Sequence, residues 1–331
     1  MTTALITGIT GFVGSHLAEY LLEHTDWDIV GMARWRSPLD NIQGLVPQIN
    51  EGRRVRLVYG DLTDGISVAR AVADADADYI FHLAAQSFPK TSFTAPAQTM
   101  DVNAIGTIRL LEAIKDHGRD PWVHVCSSSE VYGRTKIVPI TEDAPFHPAS
   151  PYAVSKITAD LMARHYAEAY GMKILVTRLF THTGPRRGDV FAESTFAKQI
   201  AMIEAGLTPP VVKVGNLNST RTIADVRDAV RAYHMLLTVN PKPGAVYNIG
   251  GTHTCTIGDI LEHLRGLATV PFEIQTDPAR LRPVDADNQI PSCEKFTRQT
   301  GWQPEIPFEK TMSDLLSFWR DKVKLGVPLQ R

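Results

Sequence analysis

Tyr152 and Lys156, in SPYAVSKITAD, lie four residues apart, and on a helix that spacing puts both side chains on the same side. A lysine ammonium beside a phenol favours the phenolate and lowers its pKa. A phenolate near a hydride acceptor is a base for the proton of a sugar or alcohol hydroxyl while hydride leaves the carbon. Upstream, the apolar run PWVHVC ends in SSSEVYG, which puts Ser128 and Glu130 at the carboxyl end of a predicted strand. A carboxylate in that place serves either as a base or as a brace that accepts bonds from loop amides. A third cluster, TGITGFVGS, sets Gly8, Gly11 and Gly14 between a predicted strand and helix, with Phe12 and Val13 in the same loop. Glycines so spaced let the backbone turn tightly and approach a pyrophosphate at a helix N-terminus.

A scaffold must bring these three clusters together. TALITG, DIVGMA, VRLVYGDL, DYIFHLAA, WVHVCSS and MKILVTRLF read as strands. Between them GSHLAEYLLEHT, ISVARAVADA, MDVNAIGTIRLLEAIKDHG and SPYAVSKITADLMARHYAEAYG read as helices, the last two closed by Gly118 and Gly171. The alternation predicts βαβ units and an α/β fold with a doubly wound parallel sheet of the Rossmann type. After residue 183 prolines cluster and the elements shorten. Residues 1–183 are therefore expected to form a dinucleotide-binding domain, with return segments near 215–255. Residues 184–331 are expected to form mainly a smaller C-terminal α/β lobe for the substrate.

The end of the second strand reads the adenosine ribose in such folds, and an Asp or Glu there holds the 2′-hydroxyl of NAD. Here MARWRS offers Arg34 and Arg36 and no acid. Arginine suits a 2′-phosphate through bidentate charge-assisted bonds, so NADP is the expected cofactor and NAD the alternative. Asp61 and Leu62 follow the third strand and are placed to flank the adenine. Leu83, Ala84 and Ala85 follow the fourth, where small residues let the backbone pass close to the cofactor.

Bulk properties exclude several classes. The 331 residues carry a net charge of −2 with no long basic block, so a nucleic-acid partner has no electrostatic footprint. No apolar run reaches the roughly 20 residues of a membrane span, and the N-terminus lacks the charged start of a signal peptide. Three widely spaced cysteines argue against a disulfide framework and for a cytoplasmic setting. Paired Cys and HExxH spacings are missing from the sequence, so no metal site is expected.

The glycine loop, the serine-bearing strand end and the YxxxK helix together resemble the extended short-chain dehydrogenase/reductase superfamily, in its nucleotide-sugar branch. LAAQSFPKTSFTAPAQTMDVNAIGTIRLLEAI and PRRG look like GDP-mannose 4,6-dehydratases; FAKQI, KVGNL, DVRDAVRAY and LRP look closer to GDP-4-keto-6-deoxymannose reductases. The resemblance implies a nucleotide-diphosphate sugar substrate and a 4,6-dehydratase, with a 4-keto reductase or C4-dehydrogenase as the alternative and an epimerase or decarboxylase behind it. It implies that Ser128 bonds the C4 oxygen, Tyr152 is the C4 base, Lys156 is its partner and a ribose ligand, and Glu130 acts on the C5 proton. It implies that Arg221 and Arg282 clamp the diphosphate, that Ser87 and Asn216 line the substrate, and that Arg187 holds the cofactor or a neighbouring subunit. Thr181 stands where the related enzymes usually carry Asn, and Lys90, expected near the sugar, also departs from the pattern. Apolar stripes on helices 102–117 and 152–170 match those that pair in the related enzymes, so a homodimer or a tetramer of such dimers is expected.

Overall fold

The structure is a computed structural model that describes residues 2–281 and 288–326. Its main sheet takes β1 (Thr3–Thr7), β2 (Asp28–Ala33), β3 (Val55–Tyr59), β4 (Tyr79–His82), β5 (Trp122–Cys126) and β6 (Ile174–Leu179). Two-residue β7 (His182–Thr183), then β8 (Val211–Val214) and β9 (Thr220–Asp225), leave this sheet, and β10 (Val246–Ile249) returns to it. The order is β10-β6-β5-β4-β1-β2-β3, every pair parallel. The predicted doubly wound parallel sheet is present. β11 (His253–Thr256) and β13 (Asn288–Gln289) flank β9 in a second sheet, and β12 (Glu273–Thr276) pairs with β8.

Helices cover both faces of the main sheet, as buried parallel strands require. On one face α1 (Phe12–His24) packs with the later helix Val226–Thr238 through Leu17, Leu21, Val230, Tyr233 and Leu237. On the other lie α2 (Gly65–Ala75), α3 (Gly106–His117) and α4 (Pro151–Tyr170), with Val68, Leu110, Leu111 and Ala163 in the core. Helix α4 starts where Ser150 accepts from the Ala153 amide and Pro151 occupies its first position. It stops at Gly171, whose φ of 67° suits only glycine without strain. The helix Val226–Thr238 on the α1 face is α6; a separate core joins α5 (Ala192–Glu204), α7 (Ile257–Leu267) and α8 (Phe308–Lys324) to β8 and β9, filled by Ile200, Ile260, Leu264, Leu315 and Trp319.

The predicted continuous helix over MDVNAIGTIRLLEAIKDHG is interrupted. Residues Asp101–Ile105 form a π-turn ahead of α3. The side chain of Asn103 is drawn inward, donating to Gln86 O (3.0 Å) and Ser155 Oγ (3.0 Å), and the Thr107 hydroxyl takes the Asn103 carbonyl at 2.6 Å. Single π-turns of this kind collect at functional sites.

Three buried histidines make the fold acid-sensitive. Burial lowers His16 to about 4, helped by Arg186; it lowers His82 to about 3, helped by Lys156, and His124 to about 3, helped by His82. Below pH 6.5 the unfolded chain binds protons that the folded chain refuses, so stability falls as pH falls. At pH 5 each histidine costs about 2 kcal/mol, roughly 6 kcal/mol together, against a typical total stability of about 5–15 kcal/mol. Circular dichroism during an acid titration is expected to show an unfolding midpoint between about pH 3.5 and pH 5. A chain still folded at pH 3.5 would contradict this.

Candidate active site

Strand order reverses between β1 and β4, so their carboxyl ends open the crevice where doubly wound sheets bind ligands. The fit of the two strand ends there depends on glycine. Gly8 has φ of +75°, and a Cβ on it would stand 2.9 Å from Ala84 Cα; a Cβ on Gly14 would stand 2.3 Å from Gly8 O. Gly11 is the N-cap of α1 and supplies no side-chain cap, so the first-turn amides around Phe12 and Val13 face the crevice uncapped. With the positive end of the helix dipole behind them, they are suited to an anionic group such as a phosphate. The Thr7 hydroxyl accepts from the Leu83 and Ala84 amides (both 3.1 Å), which leaves its hydrogen for His82 Nδ1 at 2.9 Å. His82 then carries its proton on Nε2 and donates it to Thr107 Oγ1 at 3.0 Å. One neutral imidazole thus links the glycine loop, the Leu83–Ala85 strand end and the Asn103 turn.

Arg34 and Arg36 are exposed just past β2. Asp61 lies in their neighbourhood. Its carboxylate is opposed by partial burial, but two Thr63 bonds and the charges of Arg34 and Arg109 outweigh that and lower its pKa. The Leu62 side chain is buried beneath α3, so only the backbone of that residue can face a ligand.

Ser128, Glu130 and Tyr152 converge beyond the end of β5. Ser128 caps the short 3-10 turn Ser129–Val131, its Oγ accepting from the Glu130 amide at 3.2 Å. Backbone bonds from Tyr132 to Ser129 (3.0 Å) and Gly133 to Glu130 (3.1 Å) complete the turn. Among the described residues the Glu130 carboxylate accepts no hydrogen bond and forms no ion pair; the loop is braced without it. It is half-buried, and its charge is felt at Tyr152.

Among the described residues no hydrogen bond joins Lys156 to Tyr152. Burial pushes the phenol pKa up, the Ser128 hydroxyl pulls it down, and the charges of Glu130 and Arg187 act in opposite senses. The Lys156 ammonium instead donates to the Cys126 carbonyl at 2.8 Å, and burial lowers its own pKa. The two residues share a helix side, but the long lysine side chain extends to the end of β5. The charge of Arg187 is the smallest of these influences on the phenol; Arg187 pairs with Glu193 at 3.2 Å and stacks on Phe191 at 3.4 Å and on Phe12 of the glycine loop at 5.3 Å.

The remaining expected substrate residues are spread more widely. Ser87 is exposed past β4. Lys90 donates to the Ala279 carbonyl at 2.6 Å, and Arg280 O lies 2.9 Å from where a Gly215 Cβ would stand, so Lys90 and Asn216 flank one stretch of chain. Asn216 also donates to Ser219 Oγ at 3.0 Å. The Thr181 carbonyl accepts from Ala224 at 2.9 Å, tying it to β9. Arg221 is buried on β9 between β11 and β13 and donates to the Thr220 carbonyl at 2.9 Å. Arg282 lies outside the described residues. Asn103 was not singled out in the sequence; an asparagine inside a helical apolar pattern is its only signal.

Known proteins resemble the chain along almost its full length. The family model for GDP-mannose 4,6 dehydratase matches residues 5–315. GDP-6-deoxy-D-mannose reductase of Pseudomonas aeruginosa is 32% identical over 324 residues, covering 96% of this chain and 97% of that protein. GDP-mannose 4,6-dehydratase of Vibrio cholerae is 34% identical over 347 residues, covering 95% and 92%. Among solved structures, RMD from Pseudomonas aeruginosa complexed with NADPH superposes with a TM-score of 0.83 at 31% identity, covering 97% of this chain and 100% of that one. The dTDP-glucose 4,6-dehydratase DesIV from Streptomyces venezuelae, with NAD and TYD bound, gives 0.86 at 25% identity, covering 99% and 100%. By the extent of these matches, and in keeping with its sheet and crevice, the chain belongs to the GDP-mannose 4,6 dehydratase family.

Proposed function

We propose that the protein is an NADP-dependent nucleotide-sugar 4,6-dehydratase acting on a GDP-linked sugar. The observation that carries this reading is the Glu130 carboxylate beside Ser128 and Tyr152, without a hydrogen-bond or ion-pair partner among the described residues. Gly8, Gly11 and Gly14 would hold a dinucleotide, which when bound would supply the hydride acceptor and later the donor. Ser128 holds the C4 oxygen, and Tyr152 takes the C4 hydroxyl proton as that carbon is oxidised. The 4-keto group acidifies C5–H. Glu130 removes that proton, which leaves with the C6 hydroxyl as water. Hydride returns to C6, and C5 regains a proton from solvent, giving a 4-keto-6-deoxy sugar. A buried phenol with a raised pKa needs a nearby positive charge to act as base; Arg187 is in place, and an oxidised nicotinamide adds another.

Incubation with NADP and GDP-mannose, followed by mass spectrometry, tests the reading: loss of water without net change in nicotinamide absorbance is expected. Net consumption of reduced cofactor on a 4-keto sugar would favour the reductase alternative, which the likeness to the Pseudomonas aeruginosa reductase supports.

The cofactor preference rests on Arg34 and Arg36. Arg34→Asp is expected to weaken NADP binding and favour NAD, measured by titration of both. Equal binding of the two by the parent protein would sink the assignment. The lobe of residues 184–331 supplies the nucleotide-sugar surface in this reading, with Arg221 and Arg282 on the diphosphate and Lys90, Thr181 and Asn216 near the sugar. Among the described residues no helix is long and apolar enough to cross a membrane, and a cytoplasmic location is the setting proposed. Ile105, Val154 and Leu161 leave apolar side chains exposed around α3 and α4, which supports pairing of two copies there. Sedimentation at micromolar concentration is expected to give a dimer or a dimer of dimers; a clean monomer would contradict it.

A further inference from the structure

Among the described residues the Glu130 carboxylate makes no hydrogen bond or ion pair, so its aim is set by the turn that carries it. That turn is held from behind. Tyr132, immediately after it, is fully buried, and its hydroxyl donates to Asn248 Oδ1 at 2.7 Å while accepting from Arg178 Nη1 at 2.9 Å. The same Nη1 donates to the Glu142 carbonyl at 2.8 Å. The other edge of the Arg178 guanidinium grips Asp160, with Nε to Oδ2 at 2.8 Å and Nη2 to Oδ1 at 3.2 Å. Asp160 is four residues beyond Lys156 and eight beyond Tyr152, on the same side of α4. One planar, rigid fork on β6 therefore touches the helix that carries Tyr152 and the turn that carries Glu130.

Stability alone is a poor account of this arrangement. Arg178 is 2% exposed and Asp160 0%, and a buried ion pair repays little more than its desolvation. What the fork does supply is a fixed distance. We propose that Arg178 and the Tyr132 hydroxyl are positioning groups that set the Glu130 carboxylate against Tyr152, so that both bases address neighbouring carbons of one bound sugar. The proposal rests on the dehydratase reading of the site.

Tyr132→Phe removes one hydroxyl and leaves Arg178 bonded to Asp160 and Glu142. The test uses the full chain with NADP and GDP-mannose. Single-turnover nicotinamide absorbance reports C4 oxidation, and mass spectrometry in deuterated solvent reports water loss and C5 exchange. The expected result is C4 oxidation within about twofold of the parent, with C5 exchange and water loss slowed about 10- to 100-fold, as misplacement of a reacting group by about 1 Å produces. The KM for GDP-mannose is expected to stay within about twofold, because no ligand contact is lost. Arg178→Lys, which keeps the charge and loses the fork on both the helix and the turn, is expected to slow C4 oxidation as well as water loss. A folded Tyr132→Phe variant that slows both steps equally, or neither, overturns the proposal while leaving the dehydratase reading intact. A parent enzyme that oxidises C4 and releases no water overturns both.

Discussion

Glu130→Gln is expected to leave C4 oxidation running while water loss falls by about 10²–10⁴-fold, the range a general base supplies. Glutamine keeps the shape of the side chain but accepts no proton at neutral pH. The substitution breaks nothing in the free protein, because the carboxylate has no hydrogen-bond or ion-pair partner among the described residues. Melting temperature should therefore stay near that of the parent. The variant should accumulate a 4-keto sugar that retains its C6 hydroxyl and should lose exchange of the C5 hydrogen with solvent. A second effect has a definite sign. The Glu130 charge is one of the influences that hold Tyr152 protonated. Removing it lowers the phenol pKa, so the pH profile of the oxidation step should move toward lower pH. Normal water loss and normal C5 exchange in the variant would remove Glu130 from the mechanism.

Tyr152→Phe is expected to stop the reaction before it begins. Turnover should fall by about 10²–10⁴-fold with NADP affinity retained, since only a hydroxyl is lost and Lys156 keeps its bond to the Cys126 carbonyl. The two variants differ in a way that assigns each step. Neither C4 oxidation nor C5 exchange should survive in Tyr152→Phe, because the C5 hydrogen becomes acidic only after C4 is oxidised. Activity above about a tenth of the parent would exclude Tyr152 as the base.

The sheet and the tight glycine turn were legible in the sequence because both rest on local rules. Short apolar strands alternating with helices specify parallel pairing, and the Gly8, Gly11 and Gly14 spacing states where backbone must approach backbone. The interior of the site was less legible, because there the partners come from distant segments. Asn103 reaches Gln86 and Ser155, and neither pairing leaves a periodic mark. Arg178 sits in ILVTRL, where a charged residue near a strand end suggests exposure, yet Asp160 on the neighbouring helix makes it buriable. The Tyr152–Lys156 spacing gave the shared helix side correctly. It could not show that Lys156 would extend to the end of β5, or that the turn after β7 would fold Arg187 back toward the phenol.

The late return of β10 bears on how the chain is made. Until residue 249 has left the ribosome, β6 is an open sheet edge, and until α6 follows β9 the apolar face of α1 has no cover. A nascent chain that has emerged only through residue 183 thus holds the complete glycine loop, Ser128, Glu130, Tyr152 and Lys156 on an unfinished sheet. Exposed edges and bare apolar faces are what chaperones bind and what aggregates form from. A fragment cut at that point would carry all of these residues and lack the means to stay folded in solution.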